Sequence, residues 1–218
     1  LVTGPTGSGK TTTIYASIAR INSAEKNIIT IEDPIEYQLA RVNQVPLNPK
    51  AGVTFASGLR SIVRQDPDVI MVGEIRDSET ATIAIHAALT GHLVFSTLHT
   101  NDAAGAVARL VDMGVEPFLI ASSLLGVAGQ RLARRLCVKC RASYEASPDL
   151  LKELGLESVS GPALFSRAVG CPQCRQAGYL GRVGIFELMT MRESLRRMVV
   201  AKETSSRIRV QAIREGMR

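Results

Sequence analysis

A chain of 218 residues with 45% hydrophobic and 21% charged residues has the composition of a folded globular protein, which excludes an intrinsically disordered one. No apolar run reaches the ~18 residues of a membrane helix, and no secretory leader opens the chain. The net charge of +6 suits nucleic acid, an acidic surface, ATP or simple solubility, but 4% aromatic residues and no Trp leave little for stacking on bases.

Leu1 already lies inside a strand-like LVT, so the sequence reads as a piece of a longer chain. Strands are expected at residues 1–3, 27–32, 69–73 and 93–97, and helical patterns at 10–21, 77–90 and 102–113 follow three of them. Val/Ile-rich strands alternating with helices predict an α/β fold with a parallel sheet covered on both faces. A stretch with Pro and Asn, residues 38–54, reads as a hairpin or long loop. Phe55, Leu59, Ile62 and Val63 then share one helical face, leaving Arg60 and Arg64 one turn apart on another. A further apolar helix is expected over 117–136. Beyond it the composition is loop-rich to residue 184, and the chain ends in charged helical segments.

GPTGSGKT, residues 4–11, matches G-x-x-x-x-G-K-[ST] between a strand and a helix. Glycines let successive N–H groups turn inward around phosphates, and the helix N-terminus adds partial positive charge. Gly4, Pro5, Thr6, Gly7, Ser8, Gly9, Lys10, Thr11 and Thr12 are thus the expected nucleotide-binding residues. Lys10 would reach the β- and γ-phosphates, and the Thr11 hydroxyl would ligate magnesium. A Gly-rich turn before a helix is the bland alternative, but a chance match is on the order of one in a hundred. No N-K-x-D tetrad reads guanine and no L-S-G-G-Q run is present, which leaves ATP as the nucleotide.

Ligands of an open parallel sheet sit beyond the carboxyl ends of its strands. There TIEDPIEY (30–37) supplies Glu32 and Asp33, VIMVGEIRD (69–77) supplies Glu74, and STLHTND (96–102) supplies His99. Gly73 stands where a metal-holding aspartate would be expected. Magnesium would then rest on Thr11, phosphate oxygens and waters, with Glu32 positioning the attacking water and Glu74 in the metal shell. His99 is a candidate γ-phosphate sensor; His86, in an Ala-rich helix, reads as structural, and His92 as a turn residue. Arg76, Arg60 and Arg64 are candidate arginine fingers, with surface salt bridging as the competing reading.

Cys137-Val-Lys-Cys140 and Cys171-Pro-Gln-Cys174 have knuckle spacing and are 30 residues apart. Four thiolates with no open position describe structural zinc; free thiols or a redox pair are the alternative. SPDLLKELG (147–155) is expected to loop out between the pairs. RLARRLCVKCR (131–141) holds five positive charges and no negative one, and reads as a solvated helix end or a face for acidic lipid or a partner.

Taken together, GPTGSGKTTT, TIEDPIEY, VIMVGEIRD and TGHLVFSTLHTND resemble the secretion ATPases of type II secretion and type IV pilus assembly. The two cysteine pairs and GRVGIFELM (181–189) extend the likeness. The resemblance implies a RecA-like P-loop NTPase core over residues 1–133, truncated at its N-terminus. A C-terminal tetracysteine zinc module and terminal helices would follow over 134–218. It further implies a homohexamer at the cytoplasmic face of the bacterial inner membrane. Magnesium-dependent ATP hydrolysis would there drive a membrane platform protein, and so secretion or the extension of a pilus or pseudopilus. By position the family's acids are Glu32 and Glu74 and its His-box residue is His99, with Arg76 beside them; Gly73 becomes a family trait. An upstream domain would close over the nucleotide and add arginines, and the cysteine module would mark assembly and secretion motors rather than retraction motors. Two alternatives stand beside this: a RecA-like nucleic-acid translocase with a zinc module, and a nucleotide-gated scaffold with little turnover. The Asp and His boxes favour the motor.

Overall fold

The computed structural model describes residues 1–156 and 163–218. In chain order the elements are β1 (Val2–Thr3), α1 (Lys10–Ile21), β2 (Ile28–Glu32), β3 (Asn43–Pro46), α2 (Phe55–Ile62), β4 (Val69–Val72) and α3 (Ser78–Leu89). Next come β5 (Leu93–Leu98), α4 (Ala103–Asp112), α5 (Pro117–Ser123), β6 (Gly126–Leu136), β7 (Ala142–Glu145) and α6 (Pro148–Glu153). The last are β8 (Leu164–Arg167), β9 (Tyr179–Thr190), α7 (Glu193–Val200) and α8 (Ser205–Arg214). The chain divides into two compact units, Leu1–Arg131 with Ile185–Arg218, and Leu132–Gly184.

One sheet runs in the order β3-β2-β4-β5-β1-β6-β9, and from β3 to β6 every neighbouring pair is parallel. Parallel strands covered on both faces are buried along their length: VIMV is an unbroken apolar run, and IITIE is buried throughout with Thr30 and Glu32 between and after its isoleucines. The pleat then sorts their side chains. Ile29, Ile31, Ile70 and Val72 join one core with Leu59, Ile85 and Val107. Ile28, Val69 and Met71 pack instead on Ile14, Tyr15 and Ile18 of α1. By the same period of two, Thr30 and Glu32 lie on the α1 side of β2, which decides the surroundings of Glu32.

The expected helices at 77 and 102 begin one residue later, because both acids are caps. Asp77 accepts from the Thr80 N–H at 2.7 Å and Asp102 from the Gly105 N–H at 2.7 Å. Thr54 and Ser57 form a capping box on α2, whose apolar stripe Phe55, Leu59 and Ile62 is buried; Val63 opens a 3-10 turn after it.

Two expectations fail. Residues 38–54, read as a hairpin or long loop, hold a strand instead: β3 pairs parallel with β2, and only a tight antiparallel bridge, Asn48 to Val53 around the 3-10 turn Pro49–Ala51, is hairpin-like. Edge strands need no two-faced apolar pattern, so NQVP gives no periodic signal. The helix over 117–136 is also wrong. Helix α5 ends at Ser123, and the rest is β6, parallel to β1. An apolar run flanked by small residues fits either period, and the empty side of β1 fixes the outcome. The basic run from Arg131 therefore starts within a strand, not at a helix end.

Leu195, Val199, Ile208 and Ala212 of α7 and α8 join the larger core of the first unit. The terminal helices thus group with the first unit, whereas the sequence grouping put them with the cysteine pairs. In the second unit β7 and β8 pair antiparallel, from Ala142 opposite Arg167 to Glu145 opposite Leu164. The segment expected to loop out holds α6, capped by the Ser147 hydroxyl. Among the described residues no helix is long and apolar enough to cross a membrane.

Candidate functional site

The loop from Gly4 to Gly9 leaves the C-terminal end of β1 and enters α1. Its first glycine is obligatory: at φ 148° an added Cβ would lie 2.2 Å from the carbonyl oxygen of Gln130. Pro5, Thr6 and Gly7 are exposed, Ser8 is buried, and Thr11 and Thr12 lie in the first turn of α1. Lys10 curls back over the loop and donates to the carbonyls of Gly4 at 3.0 Å and Pro5 at 3.2 Å. Burial lowers the pKa of its ammonium, and the negative charge of Glu74 works against that shift, so the strand-tip acid and the loop lysine share one field.

Beyond the strand ends a compact set of charges forms. Glu74 accepts from Arg76 Nη2 at 2.6 Å on one oxygen, and its other oxygen lies 3.4 Å from His99 Nε2. Asp33 stands 3.9 Å from the same guanidinium. The Arg76 hydrogen bond holds the Glu74 carboxyl below its usual range, against the effect of burial, with the charges of Arg76 and His99 adding to it. Gly73 has a packing reason. Its N–H donates to Ile31 O at 2.8 Å, and a Cβ there would meet that oxygen at 3.3 Å and Glu32 Cα at 3.4 Å. Glycine lets the tips of β2 and β4 close up.

Glu32 stands at the end of β2 as expected, yet its residue is only 2% exposed. One carboxylate oxygen accepts from the Tyr15 hydroxyl; the other accepts from Thr30 Oγ1 at 2.6 Å and from Gln44 Nε2 at 3.1 Å. The structure therefore brings Glu74, Arg76, His99 and Asp33 together and seals Glu32 against α1. Burial and Glu32 together push the Tyr15 phenol well above its ordinary pKa. Of the remaining candidates, Arg60 pairs with Glu79 on α3 and both are exposed, while Arg64 lies exposed in the turn after α2. His86 is exposed on α3, and His92 Nδ1 lies 2.8 Å from Ala87 O in the turn before β5.

Sequence reasoning missed Tyr15, Gln44 and Gln130. Tyr15 occupies an apolar position of α1 and reads as core, and Gln44 and Gln130 lie on β3 and β6, neither of which was expected as a strand.

In the second unit Cys137 Sγ lies 3.9 Å from Cys171 Sγ, Cys140 Sγ 3.8 Å from Cys174 Sγ, and Cys171 Sγ 3.7 Å from Cys174 Sγ. All four sulfurs fall within 4.8 Å of one another. A tetrahedron with metal–sulfur bonds of about 2.3 Å has edges of about 3.8 Å. Backbone N–H groups point at the sulfurs, from Gly170 to Cys140 at 3.4 Å and from Gly178 and Cys171 to Cys174 at 3.2 Å each. Burial opposes ionisation of Cys174, but the Cys171 and Gly178 N–H groups, with the Cys171 and Cys140 thiols, bring it down to about 7, whereas burial and the neighbouring thiols push Cys140 up to about 11. This donor set can hold a metal ion.

Residues 1–218 match the model of the family described as "Type II/IV secretion system protein". The chain is 57% identical over 199 residues to the type II secretion system ATPase E of Vibrio cholerae, covering 91% of this chain and 39% of that protein. It is 51% identical over 220 residues to the type IV pilus assembly ATPase PilB of Thermus thermophilus, covering all of this chain and 25% of that protein. It therefore spans about two fifths or less of these relatives. A crystal structure of the pilus retraction motor PilT with bound ADP superposes with a TM-score of 0.66 at 32% identity, covering 100% of this chain and 57% of that one. With four strand-tip motifs in one field and a family match along its whole length, the chain belongs to the type II/IV secretion system protein family.

Proposed function

We propose that this chain is the catalytic part of an ATP-hydrolysing motor, with a RecA-like P-loop core in residues 1–131 and a structural zinc module in the second unit. The work it drives is protein secretion through a type II system or assembly of a type IV pilus or pseudopilus. The observation that carries the proposal is geometric: Lys10 folded over the Gly4 and Pro5 carbonyls of the phosphate loop, and Glu74 held between Arg76 and His99 beyond the strand ends. A homohexamer at the cytoplasmic face of the inner membrane, pushing on a membrane platform protein, completes the reading.

The loop N–H groups and the N-terminus of α1 receive the phosphates, and Lys10 exchanges the Gly4 and Pro5 carbonyls for phosphate oxygens. Magnesium fits the oxygen donors present: the Thr11 hydroxyl and, through water, the ionised Glu74 would hold it. When bound it would neutralise charge on the transferred phosphoryl group. Glu74, kept anionic by Arg76, accepts the hydrogen bond of the attacking water and aims it. His99, on the other oxygen of that carboxylate, reports the γ-phosphate. This moves the water-positioning role drawn from sequence from Glu32 to Glu74, which keeps its place in the metal shell. Glu32, buried and with three side-chain donors on its carboxylate, acts by bracing the tip of β2 against α1. Zinc on Cys137, Cys140, Cys171 and Cys174 would contribute folding free energy, on the order of 10 kcal/mol in isolated fingers.

The test is phosphate release by the full-length protein with magnesium and ATP, with and without the membrane platform protein, repeated with single-stranded DNA. Turnover raised by the platform protein and indifferent to DNA supports the motor. Stimulation by DNA that fades as salt rises would replace it with a nucleic-acid translocase.

A further inference from the structure

We propose that Gln130, on β6, is a positioning residue for the phosphate loop: its side chain is the strut that fixes where the loop ends and α1 begins. The inference rests on the reading of Gly4–Thr11 as a nucleotide site. Gln130 is 4% exposed, and both ends of its amide are used. Nε2 donates to Ser8 O at 2.8 Å, and Oε1 accepts from Thr13 Oγ1 at 2.7 Å. Ser8 is the last loop residue before the glycine that caps α1, and Thr13 lies in the first turn of that helix. The amide therefore bridges the two sides of the segment whose N–H groups face phosphate. Its own main chain forms the floor below, since Gly4 has no room for a Cβ against Gln130 O.

The chemistry of an amide is needed here. The site offers one carbonyl acceptor and one hydroxyl donor, and only a group that donates at one end and accepts at the other satisfies both. A carboxylate of the same shape would set negative charge against the Ser8 carbonyl, tilting the loop carbonyl toward the space the phosphates need. A protonated carboxyl would again donate to Ser8 O and accept from Thr13. Lys10 borders this segment above the loop on Gly4 and Pro5, Glu187 of β9 lies over the adjacent Gly129, and Arg131, next along β6, donates to Asn101 O instead.

The experiment measures ADP binding to the full-length protein by fluorescence of a methylanthraniloyl nucleotide between pH 5.5 and 8.5, with thermal melting alongside. Gln130→Met, which keeps the volume and loses both hydrogen bonds, is expected to weaken binding about tenfold at every pH. Gln130→Glu is expected to weaken it by at least as much at pH 8 and to recover toward the parent as the pH falls, while the parent curve lacks that recovery. A general packing role would give a loss without the acid recovery. Should Gln130→Met melt out, Thr13→Val removes a single link and is expected to weaken binding about threefold. If the parent binds ADP while the folded Gln130 variants, or Thr13→Val, bind as tightly at all pH values, the strut is refuted. If the parent itself binds no ADP, the fault lies with the nucleotide reading.

Discussion

Replacing Tyr15 by Phe removes one oxygen and leaves the ring, including its edge-on contact with Tyr37 at 4.7 Å between centroids. That oxygen is one of three donors to the Glu32 carboxylate and also accepts from Gln44 Nε2 at 3.2 Å. A hydrogen bond to a buried charged group contributes about 1.5–3 kcal/mol. For a chain of this size each kcal/mol moves the melting temperature by about 2–4 °C, so Tyr15→Phe should melt about 3–12 °C lower near neutral pH. The loss should shrink when Glu32→Gln is already present, with a coupling of about 0.5–3 kcal/mol in the double-mutant cycle. Linkage gives a second signature. The Tyr15 phenol titrates above the ordinary value of 10.0, so the folded state keeps a proton that the unfolded chain releases. Stability should fall as pH rises past 10.0 in the parent, and fall less steeply in the Phe variant. A Tyr15→Phe protein melting within about 1 °C of the parent, with no coupling to Glu32→Gln, would refute the role given to the hydroxyl.

Glu74→Gln should cut the rate of phosphate release by about 100-fold or more while ADP affinity stays within a few-fold, checked by release and titration on one preparation. Arg76→Ala should move the acidic limb of the rate profile to higher pH, because Arg76 is what lowers the Glu74 pKa. By the same shift, the Glu74 contribution to stability is complete above its ordinary value of 4.5 and lost as pH falls below it, so acid melts should be flatter in Glu74→Gln. Metal analysis should return one zinc per chain, and Cys171→Ser should lower that content and expose residues 132–184 to limited proteolysis.

Much of the fold was legible because buried parallel strands declare themselves. VIMV is apolar at every position and IITIE at three of five, and each leads to a loop bearing an acid. Five strands escaped, β7, β8 and β9 in the stretch read as loop-rich or helical, and β3 and β6 because their identity depends on neighbours. NQVP is an edge strand that one β2 face suffices to hold, and GVAGQRLARRL becomes a strand only because β1 has an open side. The site was half legible for a related reason. Motif spacing located Lys10, Glu74, Arg76 and His99, because loop chemistry is local. It did not separate the roles of Glu32 and Glu74, because that depends on which face of β2 a side chain takes. Period-two counting from Ile28 places Glu32 against α1, but only once the register of the pleat is known. Gln130 and Tyr15 carried no motif, since each acts through residues distant in sequence.

The first unit is interrupted: its last residues, Ile185–Arg218, are separated from Arg131 by the whole of Leu132–Gly184. Met189, Leu195 and Ile208 belong to its principal core and lie beyond that interruption. As the ribosome releases the chain from its N-terminal end, the phosphate loop emerges early, but Met189, Leu195 and Ile208 of the principal core emerge only after both cysteine pairs. Completion of the first unit must therefore wait on translation of the thiol-bearing insert.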